Sequence, residues 1–418
     1  MIWNGIDTNP AFALESGAMG DIPRMYDALL REHFRENRQM AFLSGPRQVG
    51  KTTLARGLAS VYLNWDRRED RERFLAGEDE VARSAGLDRK RARKPVATFD
   101  EIHHWKKWKA FLKGWFDTYG DSAHTLVTGS ARLDLHKRRR GDSLMGRYFP
   151  YRMHPLSVGE LLHPVPPASE SVPSAPIADA EWDALLRFGG FPEPFARRSR
   201  TFSVRWHRLR REQLVRADIR NETGIRDLDL LDALATVLAH RSGEQLVYAP
   251  LGKELQLNEV TVRQWVSVLS NFYYGFLVKP WFRNLENALR KTPKWYLRDW
   301  SEVADEGKRV ETLVACHLLK AVEAWTDLGL GDYGLFYIRT KRKEEVDFLV
   351  TRDGAPWFLA EAKKSDASRS GTLAEMRRAT GASFALQLVA DLPHEPVDCF
   401  EPGFVGTVPL RTFLSQLP

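Results

Sequence analysis

The stretch Gly45-Pro46-Arg47-Gln48-Val49-Gly50-Lys51-Thr52-Thr53 has the Gly-x4-Gly-Lys-Thr spacing of a phosphate-binding loop. The glycines let backbone N–H groups curl around phosphate oxygens, and the start of the following helix adds its positive dipole end. Lys51 supplies an ammonium for the β- and γ-phosphates of ATP, and the Thr52 hydroxyl is suited to the shell of Mg²⁺. Downstream, Val96-Ala-Thr-Phe-Asp100-Glu101 is an apolar strand ending in two carboxylates. Asp100 is placed to reach the metal shell and Glu101 to polarise an attacking water, which favours hydrolysis over binding alone. A further strand end, Leu126-Val-Thr128-Gly-Ser130, offers hydroxyls. These orient the lytic water or cap the next turn.

A second constellation lies near the C-terminus. Asp347 falls in the apolar run Glu345–Val350, and Glu361 and Lys363 fall two apart in the next, Trp357–Lys363. Side chains two apart on a strand share a face, so two carboxylates and a lysine converge there. Asp347 and Glu361 would hold a second Mg²⁺ or Mn²⁺, with Lys363 positioning or activating a water at a scissile phosphate. Glu311, on the preceding helical run, is placed to add a third carboxylate.

These residues need elements to hold them. Met40–Leu43 reads as a strand and Thr52–Ala59 as a helix. Further apolar strands at Val61–Asn64, Val96–Phe99 and Thr125–Val127 alternate with helical stretches, which implies a parallel α/β sheet. A Pro- and Ser-rich stretch, His163–Pro176, reads as a linker or surface loop. Around Asn258, a helix N-cap residue, the pattern is helix-turn-helix. Val262, Trp265, Val266 and Leu269 form its buried stripe, while Thr261, Arg263, Gln264 and Ser267 face outward for nucleic-acid contact or subunit packing.

The chain of 418 residues is long enough for two to four domains, and 43% hydrophobic content supports ordinary cores. It carries two cysteines, Cys316 and Cys399, which excludes a disulfide framework or zinc ribbon and fits a reducing, cytoplasmic setting. No signal peptide or membrane-length apolar run is present. The net charge of +7 is concentrated in Arg67–Arg73, Arg89–Lys94, Lys137–Arg140, Arg197–Arg220 and Arg339–Lys343. Any one such run is ordinarily a solvated face; five on one chain point to a polyanion, DNA foremost, with RNA not distinguished.

The runs FLSGPRQVGKTTL, FDEIHHW, LVTGSARLDL, SLMGRYFPYRMHPLSVGELL and RFGGFPEP, in this order, resemble the AAA-type ATPases of bacteria and archaea that carry a C-terminal domain of unknown function. The C-terminal order of helix Glu, strand Asp and Glu-x-Lys resembles the PD-(D/E)xK nuclease superfamily, with Val346 where the name has Pro. The resemblance implies a multidomain α/β chain. A helical lead-in (1–38) precedes a P-loop AAA-type ATPase core (39–162). Then come a linker and helical lid (163–235), a winged helix (236–293) and a restriction-endonuclease-like α/β domain (294–418). It further implies that Arg147 meets the γ-phosphate in cis or across a subunit contact of a homo-oligomer, and that Gly190 and Pro192 lie in a lid near the nucleotide. The function implied is an ATP-driven DNA-processing protein, branched DNA among its substrates. The alternative is a nucleotide-operated switch whose C-terminal fold only binds.

Overall fold

The computed structural model describes residues 22–87, 93–129, 144–281, 292–340, 344–366, 368 and 371–418. The first sheet grows from short apolar segments. Strand β1 (Met40–Ser44) is buried at all five positions, as a strand covered on both faces must be. With β2 (Val61–Asn64), β3 (Val96–Asp100), β4 (His124–Gly129) and β5 (Tyr148–Arg152) it forms an all-parallel sheet in the order β2-β3-β4-β1-β5. The mixed α/β architecture with a parallel sheet is therefore present.

Helices cover both faces. On one side lie α1 (Met25–Glu36) and α2 (Lys51–Leu58), packed through Met25, Leu29, Leu30 and Ala55 onto Ala41, Leu43 and Leu126. The lead-in assigned to 1–38 is thus, from residue 22 on, part of this core rather than a preface to it. On the other side lie α3 (Arg68–Ala76), α4 (Glu78–Ser84) and α5 (Trp108–Tyr119). Helix α5 forms because Trp108, Phe111, Leu112 and Trp115 recur at helical spacing and bury one stripe. Trp115 meets Phe99 edge to face at 5.2 Å and donates from Nε1 to Thr125. Truncating such a side chain costs about 3–5 kcal/mol.

Beyond β5 the chain makes α6 (Val158–Leu162), α7 (Asp179–Phe188), α8 (Pro192–Arg197) and α9 (Arg200–Gln213). Helix α9 widens into a π-helical turn over Leu214–Ile219 and continues as α10 (Arg220–Glu222). Next come α11 (Leu228–His240), β6 (Glu244–Gln245), α12 (Tyr248–Leu255), α13 (Glu259–Asn271), β7 (Gly275–Pro280) and β8 (Lys294–Leu297). Asn258 caps α13 by accepting from the Thr261 N–H, and Val262, Trp265, Val266 and Leu269 are buried. The last stretch is α14 (Glu306–Asp327), β9 (Tyr333–Arg339), β10 (Glu345–Arg352), β11 (Ala355–Lys363), α15 (Gly371–Thr380), β12 (Phe384–Val389), β13 (Val405–Pro409) and α16 (Leu410–Ser415).

The second sheet has eight strands in the order β13-β12-β11-β10-β9-β7-β8-β6. Strand β7 pairs antiparallel with β8 and parallel with β9. A boundary at 293/294 would cut the β7–β8 pair, so the segments 236–293 and 294–418 share one sheet. The stretch 163–176 is likewise no free linker. Val172 and Ala175 donate backbone N–H groups to Gln416 O and Ser415 Oγ, and Glu170 accepts from Tyr333. The lid assigned to 163–235 also divides. Trp182, Leu185 and Phe195 join the core under the second sheet, whereas Val215, Ile219, Leu231 and Leu234 pack with α13.

Candidate functional site

The loop between β1 and α2 is shaped by backbone geometry. At Gly45 φ is +153°, and a Cβ there would lie 2.2 Å from the Met153 carbonyl oxygen, so only glycine fits. Gly50 and Gln48 also take positive φ, at 102° and 63°. Lys51 is buried, and its Nζ donates to the carbonyls of Gly45 and Pro46 at 2.7 Å each. Burial pushes this ammonium down to about 8, with Glu101 and Asp100 pulling the other way. Thr52 and Thr53 stand exposed on the first turn of α2.

The sheet order brings the second half of the site alongside. Strand β4 lies between β1 and β3, with Thr128 in register with both Leu43 and Asp100. Asp100 is 1% exposed and accepts from Thr52 Oγ1 at 3.2 Å, from Asn64 Nδ2 at 3.3 Å, and from the hydroxyls of Tyr62 and Thr128. Glu101 follows in a left-handed conformation, φ 54°. Burial pushes its carboxyl above the usual range, opposed chiefly by Lys51, and its Oε2 is buried without a hydrogen-bond partner. His103 stands beside it, Nδ1 3.4 Å from Oε2, with a ring that burial holds neutral down to about pH 3. A hydroxyl and a carboxylate meeting at 3.2 Å are the hard oxygen donors that Mg²⁺ takes, so Thr52 and Asp100 fit that ion.

Four partners of this site, Arg24, Asp218, Tyr62 and Asn64, were not singled out in the sequence. Arg24, the N-cap residue of α1, donates to the Val49 carbonyl of the loop and to the buried carboxylate of Glu160. Arg47 is held by Asp218 of the π-helical turn at 2.8 Å. A small cleft lies beside it, lined by Gln48, Arg210, Arg211, Asp218 and Glu302. Tyr62 and Asn64 alternate along β2, and that period of two was the legible signal; Arg24 and Asp218 gave none.

One residue named through the resemblance, Arg147, is not brought to this site within its own chain. Arg147 precedes β5 at the end of the sheet opposite the loop: its carbonyl accepts from Met40 N, and its guanidinium is paired with Asp117 at 2.9 and 3.1 Å. The length of β1 separates it from Gly45, about 17 Å at strand rise, so it does not reach a phosphate held by its own chain. Gly190 is buried against the Leu156 carbonyl, Trp300 and Pro155, where even a Cβ would be crowded, and Pro192 opens α8 as its first residue. Both serve packing. Ser130 lies outside the described residues, as do 89–92, 137–140 and 341–343 of the basic runs.

In the second sheet β10 and β11 run antiparallel, placing Asp347 and Glu361 on neighbouring strands. Asp347 Oδ2 accepts from Ala362 N at 3.1 Å, and Lys363 Nζ lies 2.7 Å from Glu361 Oε1. The expected three-carboxylate cage does not form: among the described residues Glu311, Asp347 and Glu361 do not gather their oxygens within 4.8 Å of one another. Instead Lys294 Nζ of β8 sits between Glu311 Oε1 at 2.9 Å, Glu345 Oε1 at 2.6 Å and Asp347 Oδ1 at 3.2 Å. Burial would discharge this ammonium, but the carboxylates win and hold it charged. With the Lys294 ammonium between them, Glu311 and Asp347 do not fit a shared divalent metal.

Residues 37–162 match the family model described as AAA domain, so the chain carries an AAA domain around the loop and the paired carboxylates. Residues 179–303 and 306–391 match two models described as domains of unknown function, DUF8612 and DUF4143. Two curated relatives, the uncharacterized proteins Mb2031c of Mycobacterium bovis and Rv2008c of Mycobacterium tuberculosis, are each 26% identical over 344 residues, 80% of this chain and 72% of theirs. Among solved structures, the Aeropyrum pernix Orc1 protein in complex with DNA aligns at TM-score 0.33 and 14% identity, over 71% of this chain and 94% of that one. AMPPCP-bound DnaA from Aquifex aeolicus aligns at TM-score 0.30 and 14% identity, over 63% and 92%.

Proposed function

We propose that this chain hydrolyses ATP in its AAA domain and uses the nucleotide cycle to act on DNA. The observation that carries the first half is the meeting of Thr52 and Asp100, which joins the phosphate loop to the carboxylate strand end. The loop's N–H groups and Lys51 bind the phosphates, and Lys51 exchanges its bonds to Gly45 O and Pro46 O for phosphate oxygens. Mg²⁺ held near Thr52 and Asp100 would supply positive charge to the β- and γ-oxygens. Asp100 is held by its ring of hydroxyl and amide donors. Glu101, its Oε2 unpartnered, orients the attacking water and draws on its proton. Thr128 fixes Asp100 from the intervening strand.

The DNA half rests on surface chemistry. On α9 and α10, Arg200, Arg205, Arg208 and Arg220 are exposed and form no ion pair with a described residue. On α13, Arg263, Gln264 and Ser267 face solvent in the helix-turn-helix that we read as a winged helix. No helix among the described residues is long and apolar enough to cross a membrane. Because Arg147 lies away from its own loop, a γ-phosphate contact from it requires a neighbouring copy, the homo-oligomer reading.

The test is Mg²⁺-dependent ATP turnover by wild type and Lys51→Ala, with and without duplex and branched DNA, at several salt concentrations. The reading stands if Lys51→Ala is inactive and if DNA binding weakens with salt by about 0.9 log units per tenfold for each phosphate contacted. ATP turnover by Lys51→Ala at the wild-type rate removes the first half. DNA binding that is absent, or insensitive to salt, removes the second and leaves the nucleotide-operated switch.

A further inference from the structure

The carboxylates that the C-terminal strands gather are already neutralised from within. Lys294 is 3% exposed, and its ammonium has three N–H donors facing three carboxylate oxygens, one each from Glu311, Glu345 and Asp347, all within 3.2 Å. The backbone leaves it little freedom. Lys294 is in register with Val278 of β7 on one side and with Gln245 of β6 on the other, and its Nζ lies 5.7 Å from the Tyr337 ring centroid. Each carboxylate has a second protein partner as well. Tyr296 donates to Glu311 at 2.7 Å, Gln245 to Glu345 at 3.3 Å, and Ala362 N to Asp347 at 3.1 Å. Arg339 adds a second cation 3.6 Å from Glu345.

A divalent cation bound by Glu311 and Asp347 would have to stand where the ammonium stands, because both carboxylates direct an oxygen at Nζ. Two cations at that separation in a buried site repel strongly, and Asp347 turns its other oxygen, Oδ2, to Ala362 N. Glu361, the remaining acid of the expected set, pairs with Lys363 through Oε1, and its Oε2 is buried without a hydrogen-bond partner.

We propose that Lys294 is a resident counter-cation occupying the position a catalytic metal would take, so that the C-terminal unit works as a metal-free binding module with a latent divalent-cation site. The role fits the placement of Lys294 on β8, since a strand from the region matched at 179–303 then locks the C-terminal carboxylates in place.

The test is Mn²⁺ binding to the nucleotide-free full-length chain, read by electron paramagnetic resonance of the free ion. Wild type and Asp347→Asn should bind the same number of ions. Lys294→Met should bind one more per chain, and Lys294→Met with Asp347→Asn should lose that ion again. A wild-type ion that disappears in Asp347→Asn overturns the proposal, and this comparison needs no variant of Lys294 to fold. Lys294→Gln, of similar length, repeats the gain arm; a folded Lys294→Gln that acquires no additional ion also overturns it.

Discussion

Arg24 supports the phosphate loop from behind, its Nη1 donating to the carbonyl oxygen of Val49 at 2.5 Å. The same guanidinium donates to Glu160 through Nε, at 2.9 Å, and to the His154 carbonyl through Nη2, at 2.6 Å. Glu160 is fully buried and also accepts from Lys320 of α14 at 2.5 Å. Burial pushes the Glu160 carboxyl up, but Arg24 and Lys320 prevail and hold it at about 2. The loop, the segment after β5 and the long helix under the second sheet thus meet at one carboxylate.

Removing that charge leaves two buried cations without their anion. Glu160→Gln should destabilise the chain by about 3–5 kcal/mol, the range for breaking a buried pair from one side. Denaturant unfolding of the two proteins at pH 7 measures it. A loss below about 1 kcal/mol, the value of an exposed pair, would mean that water reaches this junction.

Glu101→Gln keeps the shape of the side chain and removes its basicity. Turnover should fall by about 10²–10⁴-fold, the span of general-base contributions, while ATP affinity stays close to wild type. Equilibrium binding of a fluorescent ATP analogue beside steady-state phosphate release separates the two. Normal turnover would transfer the water-orienting role to another group.

Acid should unfold the protein early. Burial depresses His154 to about 4 and both His103 and His317 to about 3, each from 6.5. A depressed group contributes stability above its unfolded value and loses it as pH falls toward the folded value, here from about 6.5 down to 3–4. Each uncharged ring then costs about 1.4 kcal/mol per pH unit, up to about 4 for the three. His317 shows the cause: Nε2 accepts from Val158 N at 3.2 Å and Nδ1 bonds Leu313 O at 2.8 Å, so a second proton removes an acceptor. Unfolding free energies at pH 7.5, 6.5 and 5.5 give the slope. His317→Gln should flatten it by about a third, and a flat profile in wild type would contradict the burial.

Arg147→Ala should leave the turnover of an isolated chain unchanged, since the arginine is tied to Asp117 at the far end of the sheet. Turnover at low and high protein concentration is the measurement. A fall of about 10³-fold that appears only at high concentration would show that a neighbour's Arg147 completes the site.

The phosphate loop, the ends of β3 and β4 and the buried stripe of α13 were legible because each is a local pattern: a glycine spacing, an apolar run stopped by acids, a helical period. The end of the sheet that Arg147 occupies was not legible because its neighbours in sequence say nothing about which end of the parallel sheet β5 enters from. Lys294 was missed for a related reason. It precedes Asp347 by 53 positions, and only the pairing of β8 with β7, and of β7 with β9, carries it there. The lid failed as a unit because α7 and α8 are amphipathic toward one core and the helices after them toward another, a choice that periodicity alone does not encode.

The sheet that runs from β6 to β13 has a practical corollary for dissecting this chain. The family matches end at residue 303 and resume at 306, yet β7 contributes a hydrogen-bonded edge to β9 across that gap. A fragment beginning at 306 would therefore expose the unsatisfied edge of β9 and the acids that Lys294 covers, inviting self-association. A truncation that preserves the native assembly must carry the two segments together.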